Sequence, residues 1–298
     1  TRSAWNTALL KHTRWCTNMK YKIEKNTVQE TLIIPLYARK VCSELYPNLY
    51  RDETAVRLID EIDYDFSEAE KNSRGLMQRF GSLEVAMRQN DLAFEVREYL
   101  KSHPNAAVVN LGCGLDSTGR SCDNGSCKIY NLDFPDVIAV RNELLPAGER
   151  EGNIPCNLNN TEWFRKIDSS NGAVFFASGV FYYFLTEQVK TLVQKMADAF
   201  PGSVLVFDAA NRTAVKMIAK TWLKSAKIKN VGAYFAVSDA KSELSLWDSR
   251  LQVTSRGYML GYTDLKDPSV SRFFRFLAKV GDGMMKMQIV KIRFGGKQ

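Results

Sequence analysis

The sequence predicts an α/β protein: a mainly parallel sheet with an antiparallel strand at its C-terminal end, preceded by a helical extension. Three observations predict it. After Pro104, apolar β-branched runs alternate with helical segments, the pattern of right-handed βαβ units. The first run, Val108-Val109-Asn110-Leu111, ends in Gly112-Cys113-Gly114. About twenty residues on, a second apolar run ends in Asp133, the spacing at which an open α/β sheet offers a glycine turn and then an acid for ribose hydroxyls.

The elements follow in order. Strong helix formers fill 32–45 apart from Pro35, and Leu83, Met87, Phe94 and Leu100 recur at roughly helical spacing. The chain divides at Ser102-His103-Pro104-Asn105, giving a helical cap over 1–102 and a sheet-bearing core over 103–298. Strands are expected at 107–111, 128–133, 153–158, 173–178 and 203–208. A helix over 136–145 starts after Pro135 and stops at Pro146; another over 187–200 takes Thr186 as N-cap and stops at Pro201-Gly202. The segments 251–260 and 287–294 read as strands flanking a helix around 270–280, the last of them a final, partly covered strand with one apolar face.

Composition narrows the class. The 298 residues are 45% hydrophobic, and no apolar run approaches the ~20 residues of a membrane span. Residues 1–15 hold no apolar stretch of signal-peptide type. The reading is a soluble, cytoplasmic protein with no membrane partner. Six cysteines are scattered widely; Cys122 and Cys127 share a polar loop, but with His12 and His103 as the only histidines a zinc site lacks ligands, so no metal is expected. The net charge of +8 could suit nucleic acid, but the basic residues are interleaved with acids and form no basic arm, which argues against it. Position 117 is Ser, so the dinucleotide pattern Gly-x-Gly-x-x-Gly fails; a mononucleoside without phosphate fits better.

The strings Asn110-Leu111-Gly112-Cys113-Gly114-Leu115-Asp116 and Asn131-Leu132-Asp133-Phe134-Pro135-Asp136-Val137-Ile138 resemble the leucine carboxyl methyltransferase family, in particular its small-molecule branch of tetracenomycin-type polyketide O-methyltransferases. The run Glu30 to Arg39, the helix segment Ala86-Met87-Arg88 and the turn Gly179-Val180-Phe181-Tyr182-Tyr183-Phe184 are similar to further strings of that branch, in the same order. The resemblance implies a Rossmann-like class I methyltransferase sheet and S-adenosylmethionine as cofactor, with S-adenosylhomocysteine as product. It implies that Gly112 and Gly114 line the methionine part, that Asp133 accepts from the ribose hydroxyls, and that Arg88 pairs with the cofactor carboxylate. Cys113 and Asp116 in the same turn, Phe134 after Asp133, Asn157 and Leu158 at the end of the third strand, and Ser178 and Gly179 after the fourth complete the cofactor candidates. Without the resemblance, Arg88 reads as a solvated helix face near Asp91 or Glu84.

Two departures stand out. The family's Glu after the fourth strand is Ser178, and its Asp-Thr-Arg is stretched to Asp116-Ser117-Thr118-Gly119-Arg120. A carboxylate acceptor needs no general base, whereas a phenol would benefit from one; no convincing base is evident, which favours a small-molecule carboxylate or acidic hydroxyl. Tyr182 and Tyr183 are candidates to orient it. Pocket walls could come from 5–50 and 213–247, where Trp15, Tyr21, Trp222, Tyr234, Phe235 and Trp247 lie. Two other readings stay open: a macromolecular acceptor (a protein C-terminal carboxylate or a modified tRNA base), or a cofactor-binding homologue without turnover. The sequence is silent on oligomeric state.

Overall fold

Short apolar strands alternating with amphipathic helices can bury both faces of a parallel sheet only if helices cover each side, and that is the arrangement found. The computed structural model describes residues 20–23, 28–218 and 234–296; His12, Trp15, Cys16 and Trp222 lie outside them. In chain order the elements are β1 (Tyr21–Lys22), α1 (Val28–Leu45), α2 (Glu53–Glu61), β2 (Ile62–Asp63), α3 (Ser67–Ser73), α4 (Leu76–Ser102), β3 (Ala107–Leu111), α5 (Thr118–Ser121), β4 (Lys128–Asp133), α6 (Pro135–Leu144), β5 (Glu151–Pro155), β6 (Ala173–Ala177), α7 (Thr186–Ala199), β7 (Val204–Ala209), α8 (Arg212–Ile218), α9 (Ala240–Leu244), β8 (Leu251–Gly257), α10 (Arg272–Gly283) and β9 (Gln288–Phe294). Seven strands form one sheet in the order β5-β4-β3-β6-β7-β9-β8. The first five run parallel, and β9 is antiparallel to both β7 and β8.

Period-two alternation divides the sheet's side chains between two cores. On one face Val108, Ile129, Val174 and Val206 pack with Leu83, Met87, Val96 and Leu100 of α4 and with Phe274 and Ala278 of α10. On the other, Val109, Leu111, Phe175 and Leu205 meet Val189, Leu192, Val193 and Met196 of α7. A third cluster joins Leu36 of α1 and Leu58 of α2 to Leu115 and Val140, beside the glycine turn. No described helix is long and apolar enough to cross a membrane.

Several boundaries differ from expectation. The third strand of the parallel set runs over Glu151–Pro155, not 153–158. Helix α7 begins at Thr186 with Leu185 as N-cap, because Gln188 Oε1 reaches back to the Leu185 N–H at 2.8 Å; the reciprocal side-chain half of a capping box is missing, since Leu185 carries no acceptor. Phe94 is exposed and meets Tyr262 edge-on, so its helical spacing marks no core contact with the sheet. β9 is the final strand in the chain but lies inside the sheet, between β7 and β8, with Ile289, Val290, Ile292 and Phe294 buried and Arg293 exposed; β8 forms the edge. Helix α1 continues through Pro35 even though its ring removes a backbone donor.

Candidate functional site

Strand register assembles the site. Leu111 of β3 is level with Leu132 of β4 and Ala177 of β6, and Ala177 is level with Phe207 of β7. The next residue on each strand is therefore Gly112, Asp133, Ser178 and Asp208, side by side at the carboxyl ends. β3 is also where the order turns, with β4 on one side and β6 on the other, and a crevice at such a switch point is where open α/β sheets bind ligands.

The turn after β3 needs its glycines. Gly112 and Gly114 have φ of +67° and +46°, a region costly for residues with a Cβ. A Cβ on Gly112 would lie 2.6 Å from Val180 Cγ2, and one on Gly114 would lie 3.2 Å from Leu32. The atoms that approach these glycines thus come from the turn after β6 and from α1. Gly112→Ala is expected to cost roughly 1–3 kcal/mol through strain and overpacking, with Val180→Ala in the same chain recovering only the packing part. Urea unfolding of the wild type and these two variants checks this, and an unchanged midpoint for Gly112→Ala would contradict it.

Asp133 closes the turn. Its Oδ2 accepts from the Gly114 N–H at 2.8 Å and its Oδ1 from the Phe134 N–H at 2.8 Å. Burial raises its pKa against the pull of these two donors. An ionised carboxylate has about four lone-pair positions, so acceptor capacity remains. Phe134 stands exposed beside it.

Arg88 enters from α4, which runs back over the sheet. Its NH1 lies 3.2 Å from Asp208 Oδ2, and the Asp208 Oδ1 accepts from the Gly179 N–H at 2.6 Å. The partner is thus a buried acid at the end of β7, not Asp91 or Glu84 on a solvated face. A Cβ on Gly179 would meet the guanidinium at 3.0 Å, so glycine is what lets the two pack. Burial opposes the Arg88 charge, but Asp208 together with Tyr258, Tyr182 and Tyr183 outweighs it and the pKa is raised. Arg88 Nε and Ser178 Oγ are both buried without a hydrogen-bond partner. Tyr182 is buried, and burial plus Asp208 push its pKa well up. Tyr183 is exposed at the rim, and its pKa is also raised by burial of the hydroxyl.

Other expected residues serve the scaffold. Asp116 is buried and fully engaged, accepting from Gln89, Asn110, the Thr118 N–H and the Thr118 hydroxyl at 2.7–3.1 Å. Cys113 is buried, its N–H on the Leu132 carbonyl at 2.9 Å. Arg120 points away, pairing with Glu151 at 2.6 Å. Asn157 lies two residues past β5; its Oδ1 accepts from the Asn159 N–H at 3.0 Å and its carbonyl from the Asn160 N–H, an Asx-turn that occupies the amide oxygen. Leu158 is buried core. His103 sits before β3, at the opposite end of the sheet, stacked on Tyr99. Of the aromatic wall candidates, Phe235 is fully buried core against Trp247, Tyr21 packs with α1 and α2, and Tyr234 is exposed with its N–H on the Tyr182 carbonyl.

Four residues near the site were not among the sequence's site candidates. Arg141 of α6 donates to the carbonyls of Gly114 and Asp116 at 2.9 and 2.8 Å. Arg39 of α1 donates to the Leu115 carbonyl at 3.0 Å. Asp208 was available as a strand end. Glu84, one helical turn before Arg88, carries a half-buried carboxylate that burial pushes up to about 7, with Arg88 opposing.

A profile of the family described as leucine carboxyl methyltransferase matches residues 34–197. The chain is 27% identical over 183 residues to the tetracenomycin polyketide synthesis O-methyltransferase TcmP of Streptomyces glaucescens, covering 61% of this chain and 66% of that protein, just under two thirds of its length. It is 24% identical over 258 residues to the S-adenosyl-L-methionine-dependent methyltransferase dpfgK of Gibberella zeae, covering 81% of this chain and 85% of that one. A crystal structure from Thermobifida fusca YX, provisionally described as a methyltransferase, shares the fold with a TM-score of 0.54 at 18% identity, over 87% of this chain and 94% of that one.

Proposed function

The chain belongs to the leucine carboxyl methyltransferase family, and from that premise we propose that it is an S-adenosylmethionine-dependent O-methyltransferase acting on a small-molecule carboxylate or acidic hydroxyl. One observation carries the reading. Asp133 at the end of β4 has open acceptor positions, and across Gly112, at the level end of β6, lie two buried polar atoms without partners, Ser178 Oγ and Arg88 Nε. The cofactor brings ribose hydroxyls, a carboxylate and an ammonium, so the residues fit it. Asp133 would take the hydroxyls, and Arg88, held by Asp208, would take the carboxylate as a charge-assisted pair. The exposed ring of Phe134 offers an apolar face to the adenine.

When bound, the cofactor supplies a methyl group on a sulfonium, open to in-line displacement. The chain's part is alignment and exclusion of water. Tyr182 and Tyr183 both have raised pKa values, so near neutral pH they donate hydrogen bonds and do not act as phenolate bases. An acceptor that arrives ionised suits such a site. The similarity to an O-methyltransferase of polyketide synthesis supports a small acceptor.

Isothermal titration with S-adenosylmethionine tests the cofactor. Arg88→Ala and Asp133→Ala are each expected to weaken binding by about 1.5–3 kcal/mol. No binding to the folded wild type would overturn the reading, and normal binding by both variants would overturn the residue assignment. A screen of carboxylic acids and phenols with labelled cofactor then identifies the acceptor; binding without transfer to any of them would favour a cofactor-binding homologue.

A further inference from the structure

We propose that Glu84 receives the ammonium group of the cofactor's amino-acid end, forming with Arg88 a two-sided clasp for a zwitterion. The inference rests on the S-adenosylmethionine reading and adds a residue to it. An α-amino acid presents a carboxylate and an ammonium a bond or two apart, so its site needs donors and an acceptor side by side. Arg88 supplies the donors. Most acids nearby are already engaged. Asp208 accepts from Arg88 through Oδ2 and from the Gly179 N–H through Oδ1. The Asp116 carboxylate is filled by Gln89, Asn110 and Thr118. Asp133 belongs to the ribose side, tied to Gly114.

Glu84 is different. It stands four residues before Arg88 on α4, which puts the two on one helix face with Cβ atoms roughly 5–6 Å apart. Its carboxylate is half-buried and has no hydrogen-bond partner among the described residues. The titratable groups around it are Arg88 on its own helix and Tyr258 after β8, with Asp208, Tyr182, Tyr183 and Asp282 behind these two. Burial pushes Glu84 up to about 7, and the attraction of Arg88 only partly offsets it. An arriving ammonium would lower that value, so binding near neutral pH should release protons. The neutral Ser178 Oγ, also without a partner, can share the ammonium but cannot balance its charge. The acid then comes from the helix and not from the strand end, where this chain has a serine.

Calorimetry of S-adenosylmethionine binding at pH 7, in two buffers of different ionisation enthalpy, tests the clasp. Wild type is expected to release up to about half a proton on binding, since a group at its pKa is half protonated. Glu84→Gln, close in shape, should release none and bind about tenfold more weakly, and Glu84→Met should bind more weakly still. Methylthioadenosine, which has the nucleoside without the amino acid, should bind all three proteins alike, showing that the variants are folded. Glu84→Gln binding S-adenosylmethionine as wild type does, with the same proton release, would overturn the clasp while leaving the functional reading intact. Equal losses for both ligands would also overturn it, as damage to the fold. Failure of the wild type to bind S-adenosylmethionine would remove the functional reading itself and the clasp with it.

Discussion

Replacing Arg39 with methionine is expected to destabilise the protein by about 3–5 kcal/mol, the range for removing one partner of a buried ion pair. Arg39 is 3% exposed and Asp52 8%. The Arg39 Nε lies 2.8 Å from Asp52 Oδ2, and its NH2 donates to the Leu115 carbonyl inside the glycine turn. Asp52 also accepts from the Tyr50 hydroxyl at 3.1 Å and caps α2 through the Ala55 N–H at 2.8 Å. Methionine would fill much of the space, but it leaves a buried carboxylate without counter-charge and a buried carbonyl without a donor. Most of the loss is therefore assigned to charge, and Asp52→Asn added to Arg39→Met should recover part of it. Urea unfolding at pH 7 measures both. A single-variant loss below about 1 kcal/mol, or no recovery in the double variant, would show that the pair contributes little. Because Arg39 holds Leu115 beside Gly114, the variant should also bind S-adenosylmethionine less well.

What the sequence discloses here is local, and what it hides is distant. The β3 turn and Asp133 were legible because alternation, glycine and an acid follow one another within a few residues of each strand end. Register then brought Gly112, Asp133 and Ser178 level, as consecutive parallel strands allow. The partners of those residues were not legible. Val180 against Gly112, Leu32 against Gly114 and Asp208 against Arg88 join positions far apart in the chain, and no spacing encodes them. The contacts of Arg39 and Arg141 were hidden too, because a guanidinium reaching a loop carbonyl leaves no periodic mark. The local bond of Asn157 was hidden as well: an Asn just past a strand suits both a ligand contact and an Asx-turn, and its Oδ1 meets the Asn159 N–H.

The same helix that delivers Arg88 makes stability depend on pH, and Asp91→Asn should expose that dependence. Asp91 is 3% exposed, and its Oδ2 has no hydrogen-bond partner. Burial raises its pKa to about 9, with Asp282 and Glu95 adding like-charge repulsion. An unfolded aspartate loses its proton near pH 4. Between about pH 4 and 9 the folded chain therefore binds a proton that the unfolded chain has released, and stability falls as pH rises through that window. The contribution is complete below the unfolded pKa and gone above the folded one. A fully buried shift of this kind amounts to several kcal/mol, at roughly 1.4 kcal/mol per unit. Asparagine keeps the shape and cannot ionise, so the variant should match wild type near pH 4 and exceed it at pH 8 by about 2 kcal/mol or more. Glu84, raised to about 7 by burial, adds a dependence of the same sign over a narrower window that ends near pH 7, which the variant retains. Unfolding free energies at pH 5, 6.5 and 8 decide the matter. Parallel pH profiles for the two proteins would mean that Asp91 gives up its proton in the native chain as readily as in the unfolded one, and would overturn the assignment.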